Sequence, residues 1–491
     1  MAGFEIKCAD WPGQFCLCRD SRDVSSDWPV LRLAGWVLRH CPTLPVAPLA
    51  DAGGQPVGWL LGYPISPEGR LIENACALET QATDANFAAS AEAWIARLAG
   101  RYAAILLAPS CARVYTDPGA QRPVVYHAAE QIVASSVCLA APDPDWDEKL
   151  MGIVDVVRRD GWYPFGLSPD RRVRRLLPNH RLDLDDFSAA RFWPGPQDVD
   201  FGCARDIREC ISRIAAKAEA NIAAVAACHP IDMALTGGRD SRILLALSKR
   251  HLSRIDFFTI GLPDASGARD GRIATELARR FGLRHRILEW RESSREVLDV
   301  WQKRVGLSCA GRTWKSATTL VQLDPTRAVA YGFFVEVGRC QGWRESDFSA
   351  GPLAPEELLE RQKLPIQGRL VAEAARWLAG LPLASRLDVL SLAHIELKMG
   401  CWSGVGFDGN TGRIVIPFCD REIFRRMLQL PPRYRFEQRM TLDLIRSRWP
   451  ALLRLPFNRE PGWRNAVAEW LAQQAREHPR AARTARFLLR R

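Results

Sequence analysis

The segment ALTGGRDSRILLA, residues 234–246, has the residue types and spacing of a turn that binds phosphates. Gly237 and Gly238 allow backbone N–H groups to approach an anion where a β-carbon would obstruct it, and the start of a helix adds a positive dipole end. Asp240 follows at the place where a Mg²⁺ on the phosphates would lie. An ordinary strand-to-helix turn capped by Asp240 explains the same residues, so the pattern alone leaves both interpretations open.

The elements around this turn are predicted to alternate between strand and helix. Residues 231–235 form a short apolar run, and from Ser241 onward apolar side chains recur at helical spacing. The runs 255–261 and 286–290 predict two further buried strands, with a helix over 268–281 between them. This order predicts an α/β doubly wound parallel sheet, in which ligands bind at the carboxyl ends of the strands.

The first part of the chain has a different pattern, with short apolar runs separated by Gly- and Pro-containing turns. This pattern predicts a layered α+β domain. The predicted strands are 59–63, 102–108, 112–116 and 131–136, and the predicted helix is 87–98.

Composition narrows the class of protein. No apolar run approaches about 20 residues, so we expect no transmembrane helix and a cytoplasmic location. The closest of the 14 cysteines, Cys16 and Cys18, lack a second pair at zinc-finger spacing. The net charge of +11 permits an anionic partner, but the arginines are spread along the chain and concentrate only in the basic tail 476–491. We therefore expect neither a membrane nor a nucleic-acid partner.

The string T-G-G-x-D-S-R after an apolar strand resembles the S-G-G-x-D-S pyrophosphate loop of the asparagine synthetase superfamily and its ATP-pyrophosphatase relatives. A Walker loop, G-x-x-x-x-G-K, is absent, which argues against a kinase. The resemblance extends over roughly residues 95–460 and implies four regions. They are a degenerate glutamine amidotransferase-like, Ntn-hydrolase-like domain over 1–150, a connecting segment over 151–205, an ATP-pyrophosphatase domain over 206–475 and a basic tail over 476–491.

The N-terminal region departs from the family pattern in its nucleophile. The family uses a cysteine at residue 2, whereas this chain has Ala2. Cys8 cannot replace it, because the chemistry uses the terminal amine as the base for its own side chain. No Asn-Gly-Glu stretch for holding glutamine is present either. We therefore predict that this domain does not hydrolyse glutamine.

The resemblance also implies site residues. It assigns ATP contacts to Leu235, Thr236, Gly237, Gly238, Asp240, Ser241, Thr259, Ile260 and Gly261. It assigns Mg²⁺ to Asp240 and to Glu336, which lies on an apolar strand predicted over 328–339; a plain strand-end charge is the alternative for Glu336. Phe333, Phe334 and Val335 replace the small residues of the family's turn. Phe333 takes the position of a tyrosine that helps to deprotonate the amine in the β-lactam synthetase branch.

Two further positions match catalytic residues of β-lactam synthetases. On a helix predicted over 388–402, Glu396 matches a glutamate that steers the nucleophile, although an exposed helix carboxylate is an equal alternative. Arg459, in a closing loop that begins at Leu455, falls where those enzymes place a lysine that stabilises charge in the transition state. Arginine keeps the positive charge of lysine, but its guanidinium group differs in shape from an ammonium.

The resemblance implies a two-step reaction with ATP and Mg²⁺. A substrate carboxylate attacks the α-phosphate of ATP, pyrophosphate leaves, and an amine then displaces AMP to give an amide. Without a glutaminase, the amine is either ammonia or part of the substrate. We favour an internal amine, as in lasso-peptide cyclases and β-lactam synthetases, with a precursor peptide and a protease-like maturation partner. Amidation of a small molecule or glycan, a tRNA-modifying enzyme and a non-catalytic scaffold remain alternatives.

Overall fold

The computed structural model describes residues 11–19, 27–195, 198–310, 316–340, 342–383, 385–409 and 412–458. The strands are β1 Phe15–Cys18, β2 Val30–Leu33, β3 Trp36–His40, β4 Val46–Ala50, β5 Pro56–Ile65, β6 Cys76–Ala77, β7 Ala99–Ala108, β8 Cys111–Thr116, β9 Val125–His127, β10 Ile132–Ala134, β11 Val173–Arg175, β12 His180–Asp183, β13 Ala189–Arg191, β14 Ile231–Ala234, β15 Ile255–Ile260, β16 His285–Leu288, β17 Ala328–Ala330 and β18 Arg413–Val415.

The α-helices are α1 Phe87–Ala96, α2 Val137–Ala140, α3 Glu148–Val154, α4 Ile207–Cys228, α5 Arg239–Leu247, α6 Ala265–Phe281, α7 Arg295–Arg304, α8 Ala317–Leu320, α9 Pro355–Arg361, α10 Gly368–Ala379, α11 Arg386–Ala393, α12 Gly400–Asp408, α13 Arg421–Gln429, α14 Pro432–Phe436 and α15 Arg439–Arg448. A π-helical segment, His394–Met399, joins α11 to α12. Short 3₁₀ segments are Lys249–Arg254, Val335–Arg339, Glu345–Phe348 and Pro450–Arg454.

Two largely antiparallel sheets form the first half of the described chain. One has the order β11-β9-β10-β1-β3-β2 and the other β13-β12-β8-β7-β5-β4-β6. A shared apolar core lies between them, in which Phe15 and Leu38 of the first sheet pack with Ile105 of the second. Alternate residues of β7, such as Tyr102, pack with α1 on the other face, which is why this strand is apolar throughout.

The parallel sheet has the order β16-β15-β14-β17-β18. Ile231 of β14 lies opposite Ile255 of β15 and Ala328 of β17, which fixes the register at its centre. The carboxyl ends of β14, β15 and β17 therefore meet at one edge, where the predicted pyrophosphate turn begins.

This mixed architecture is compatible with the predicted fold classes and includes the parallel sheet of the second region. The specific Ntn-hydrolase-like assignment of the first region and the four domain boundaries stay predictions. Among the helices in the described part of the chain, none has the length and apolar character needed to cross a membrane.

The strand predicted over 328–339 is shorter than expected. It ends at Ala330, and Glu336 lies on the following 3₁₀ segment. Phe334, four residues after the strand ends, has φ +73°, and its ring is fully buried against Gly119 and Phe424. Phe334, one of the residues that replace the family's small turn residues, thus fills part of the contact between the antiparallel sheets and the parallel-sheet region.

The helical segment from α11 to α12 joins these two regions. The indole N–H of Trp162 donates to the carbonyl of Leu397 at 2.7 Å, and Ser403 donates to the side chain of Gln121 at 3.0 Å. A second connection is made by the backbone of Gly100, which donates to the carbonyl of Cys419 at 2.9 Å. The segment is buried on nearly every side, which accounts for its apolar composition.

Candidate functional site

The turn between β14 and α5 is held by its own hydroxyl groups. Thr236 Oγ1 accepts a hydrogen bond from the Gly238 amide at 3.1 Å and lies 3.0 Å from Ser241 Oγ. Ser241 Oγ also accepts from the Thr236 amide at 3.2 Å. Thr236 and Ser241, two of the predicted ATP contacts, therefore also shape the turn through their hydroxyls. Asp240 lies in the first turn of α5.

Gly237 is required by packing more than by backbone conformation. A β-carbon there would lie 2.6 Å from Ile273 Cδ1 on α6 and 3.1 Å from Asp270 Oδ1. Asp270 accepts a hydrogen bond from the Gly237 amide at 3.2 Å. Glycine at this position thus brings the turn against the first half of α6.

The two predicted metal ligands, Asp240 and Glu336, lie close to each other in the structure, both beside Arg339. Gly332 makes this approach possible, because a β-carbon there would lie 3.0 Å from the backbone oxygen of Asp240. Arg339, on the same 3₁₀ segment as Glu336, donates to Asp240 Oδ2 at 2.7 Å and lies 4.0 Å from Glu336 Oε1. One guanidinium therefore neutralises part of the charge of two neighbouring carboxyl groups.

Each of these carboxyl groups has one oxygen without a hydrogen-bond partner. Asp240 Oδ1 and Glu336 Oε2 are both inaccessible to solvent and unpaired within the described residues. Burial and the charge of Asp240 raise the pKa of Glu336 to about 7, although Arg339 opposes the shift. Burial also raises the pKa of Asp240, against the effect of Arg339. Buried carboxyl oxygens of this kind are stabilised when a cation binds them.

This donor set fits Mg²⁺. Magnesium is commonly bound by one or two carboxylates, with the remaining oxygens supplied by water and substrate phosphates. No group of three or more His, Cys, Asp or Glu side chains suited to a metal occurs within the described ranges. A two-carboxylate site beside a phosphate-binding turn needs no third such side chain from the protein.

The end of β15 contributes structure and an open surface. Thr259 is buried, and its hydroxyl donates to the Leu235 carbonyl at 2.6 Å. Ile260 is partly exposed, and Gly261 lines a surface pocket of 470 Å³ with residues of α6 such as Arg272. Contacts between these three positions and adenine stay a prediction.

The closing loop lies against the turn, although its charged residue is outside the described residues. Arg242 donates to the carbonyls of Leu455 at 2.5 Å and Pro456 at 3.0 Å. The Asn458 amide donates to the Gly237 carbonyl at 2.8 Å. The chain thus leads directly to the pyrophosphate turn at residue 458, but Arg459 itself is not among the described residues, and neither is the basic tail.

Glu396 lies in a separate buried network. Both of its oxygens bond the guanidinium of Arg191, with one contact at 2.7 Å, and they also accept from Asn179 at 3.1 Å and Trp377 at 2.9 Å. Burial alone would raise the pKa of Glu396, but the charge of Arg191 holds it below its ordinary value. None of the hydrogen bonds or ion pairs of Glu396 in the described part of the chain reaches Asp240. Its predicted role with the nucleophile stays a prediction.

Sequence reasoning missed Arg339, His394 and Lys398. Arg339 follows Glu336 by three residues, a spacing that places both on one face of a helical turn and could have identified the pair. Lys398 is half-buried and is attracted by Glu336. His394 and Lys398 gave no signal in one sequence, because a π-helical segment determines which way they face.

Phe333, at the position of the tyrosine of the β-lactam synthetase branch, lies in an aromatic cluster. Its ring centroid lies 6.1 Å from that of Tyr331 and 5.3 Å from that of Phe407. Tyr331 stacks on Phe407 at 5.2 Å, and burial raises its pKa well above the usual range for a phenol. A tyrosine does therefore lie at the end of β17, two residues before the position that the resemblance indicates.

A comparison with protein families matches residues 219–319 to the asparagine synthase family. No curated protein matches the chain in a sequence comparison. The family match spans the pyrophosphate turn with Asp240 and the end of β15, and supports an ATP-dependent amide-forming ligase at the family level. Enzymes of this family use ATP, typically with Mg²⁺. Residues 219–319 therefore form an asparagine synthase domain, which places this part of the chain in the asparagine synthetase superfamily.

Proposed function

We propose that this protein uses ATP to convert a substrate carboxylate into an acyl-adenylate and then transfers the acyl group to an amine. The observation that carries the proposal is the pair of unpartnered carboxyl oxygens on Asp240 and Glu336, next to the pyrophosphate turn. In the first step the carboxylate oxygen bonds the α-phosphorus as the bond to pyrophosphate breaks. In the second, the amine nitrogen bonds the carbonyl carbon as AMP leaves, and the amine releases a proton.

The residues of the chain act mainly by positioning and by neutralising charge. The turn from Thr236 to Ser241 would hold the pyrophosphate at the start of α5. Mg²⁺ held by Asp240 and Glu336 would offset the charge on the departing pyrophosphate. Arg339, already paired with Asp240, keeps the two carboxyl groups close to each other in a partly buried place.

We further propose that the amine belongs to the substrate, which makes the enzyme a ring-closing ligase of the lasso-peptide cyclase or β-lactam synthetase kind. Ala2 in place of the nucleophilic cysteine supports this, because a cyclase needs no supply of ammonia. A precursor peptide, a protease-like partner and a cytoplasmic location belong to the same proposal. Free ammonia as the amine is the competing version.

Trapping the activated carboxylate with hydroxylamine tests the central step. The protein is mixed with Mg-ATP, hydroxylamine and a panel of free dicarboxylic acids and peptides with internal Asp or Glu, and pyrophosphate and hydroxamate are measured. We expect both products in equal amounts with at least one member, and a loss of about 100-fold in Asp240→Asn. Equal rates in wild type and Asp240→Asn would contradict the proposal.

The source of the amine is tested with the same panel without hydroxylamine. A substrate that carries its own amine loses the mass of one water, and added ammonium salt does not change the rate. Dependence on ammonium would instead establish the competing version.

A further inference from the structure

A second cavity lies beside the carboxylate pair and has no role in the proposed mechanism. It has a volume of 620 Å³ and is enclosed by the connecting segment 159–162, the turn 361–365 and the helical residues His394, Lys398 and Trp402. This volume is within the range of ordinary small-ligand pockets. The cavity therefore has room for a substrate group.

Most of the charged residues that line the cavity are cations. Arg159, Lys363 and Lys398 line it, with Asp160 as the acid in the lining. Arg361 also lines it, but its guanidinium is already paired with Asp347 and Glu357. This balance of charge favours an anionic ligand.

Lys398 is the cation best placed to meet that ligand. It is half-buried, and its ammonium forms no hydrogen bond or ion pair in the part of the chain that the structure describes. Burial lowers the pKa of Lys398, while attraction to Glu336 opposes the shift. A half-buried ammonium without a close partner gains free energy when a carboxylate enters beside it.

His394 gives a second, independent indication of a ligand. Its side chain is 5% exposed, lines the cavity, and has an Nε2 atom without a hydrogen-bond partner in the described residues. Burial, together with the charges of Lys398 and Arg339, lowers the pKa of His394 to about 3. The ring is therefore neutral at physiological pH and offers a hydrogen bond to a polar group.

The walls of the cavity suit an apolar group beside the anion. The indole N–H of Trp162 donates to the Leu397 carbonyl, and its ring lines the cavity as an apolar surface. Trp402 is partly exposed and lines the same cavity. Two indoles and an unpaired ammonium together match a carboxylate attached to an apolar or aromatic group.

The cavity is electrostatically connected to the proposed reaction site. Lys398 interacts with Glu336, and His394 with Arg339, the partner of Asp240. A carboxylate bound near Lys398 would therefore lie next to the residues proposed to hold Mg-ATP.

We propose that this cavity binds the substrate through a carboxylate that pairs with Lys398, while Trp162 and Trp402 contact the apolar part of the same molecule. The assignment rests on the proposed function for the fate of the carboxylate, but the binding itself needs no ATP. A peptide carboxyl group and a free organic acid share this chemistry, and the experiment distinguishes them.

Indole-3-acetate and its neutral amide, indole-3-acetamide, are matched probes for the cavity. Isothermal titration of the full chain should show at least tenfold tighter binding of the acid, weakening with added salt. Lys398→Met should abolish the preference without loss of thermal stability, because Met fills similar space without a buried charge. Lys149→Met, at an exposed position outside the cavity, is the matched control and should bind as wild type.

Equal affinity for acid and amide, or an unchanged preference in Lys398→Met, would overturn the assignment. Asp240→Asn should still bind the acid, so that loss of catalysis and loss of this cavity can be told apart. Competition by N-acetylated Asp-containing dipeptides more than tenfold stronger than by aspartate would establish a peptide substrate. Stronger competition by aspartate than by the dipeptides would establish a free acid as the substrate. Either result supports the assignment of a carboxylate to this cavity.

Discussion

Two glutamates on helical turns, the buried Glu396 and the partly buried Glu336, have opposite surroundings. Glu396 is fully buried and both of its oxygens are bonded, to Arg191, Asn179 and Trp377. Glu336 has one buried oxygen without a partner among the described residues and lies near a second carboxyl group, that of Asp240. The pKa of Glu396 is lowered by its partners, whereas the pKa of Glu336 is raised to about 7.

Hydrogen-bond partners distinguish a carboxylate with a structural role from one that can still bind a ligand. A charge whose hydrogen bonds are all made within the protein stabilises the arrangement of its neighbours and has nothing left for a substrate. A carboxyl group with an unpaired buried oxygen is costly unless a cation joins it. By this criterion the Arg191–Glu396 network has a structural role, whereas the Asp240–Glu336 pair keeps the capacity to bind a cation, as the proposed function requires.

The largest expected effect is on stability, in Glu396→Gln. This change keeps the shape of the side chain but leaves the buried Arg191 without its countercharge, so we expect a loss of about 3 kcal/mol in the free energy of unfolding. Urea denaturation measures it. Glu209→Gln, in an exposed pair with Arg213, is the matched control and should change stability by less than about 1 kcal/mol.

The same variant tests the catalytic prediction for Glu396. If Glu396→Gln unfolds at the wild-type urea concentration yet loses activity, the glutamate acts on the nucleophile and the structural interpretation is wrong.

The next effect is on activity, in Asp240→Asn. Removal of the negative charge next to the pyrophosphate turn should lower the rate of pyrophosphate release about 100-fold, with little change in the unfolding temperature. Asp299→Asn, in an exposed pair with Arg295, provides the control and should retain full activity. A large loss of stability in Asp240→Asn would show that the ion pair with Arg339 is mainly structural.

A smaller effect is expected on pH dependence, through Glu336. Its pKa rises from 4.5 to about 7 on folding, so the folded protein binds more protons than the unfolded chain between these values. The stability from this group is therefore fully present below about pH 4.5, falls as the pH rises, and is lost above about pH 7.

Thermal unfolding of wild type and Glu336→Gln between pH 4.5 and 8 measures this difference. We expect the variant to lack this decline, and Mg²⁺ affinity of the wild type to increase by up to about tenfold per pH unit over the same range. Parallel pH profiles of the two proteins would contradict the raised pKa.

The smallest expected effect concerns the hydroxyl of Thr236. Thr236→Val removes the acceptor of the Gly238 amide and should cost about 1 kcal/mol in stability and weaken Mg-ATP binding. Thr236→Ser keeps the hydroxyl and should differ from wild type by less than about 0.5 kcal/mol. Equal affinities of the Val and Ser variants for Mg-ATP would show that the hydroxyl has no part in nucleotide binding.

Much of the parallel-sheet region could be predicted from one sequence. The predicted strand at 231–235 and the helix at 268–281 match β14 and α6 closely, because buried parallel strands are continuous apolar runs and amphipathic helices have a clear period. The turn itself was visible for a similar reason, since its glycines and hydroxyls act within a few residues. The prediction of a strand over 328–339 was wrong after Ala330. The chain turns there and Phe334 packs against Gly119, a contact between distant residues that one sequence does not show.

The sequence by itself determined the alternation of strands and helices and the glycine-rich turn between β14 and α5, because these features are local in the chain. Only the tertiary structure decided the partners of each charge. Asp240 and Arg339 are 99 residues apart, and Arg191 and Glu396 are 205 apart. Burial and pairing across such separations depend on the packed fold, so one sequence could nominate Glu336 and Glu396 alike but could not distinguish their surroundings.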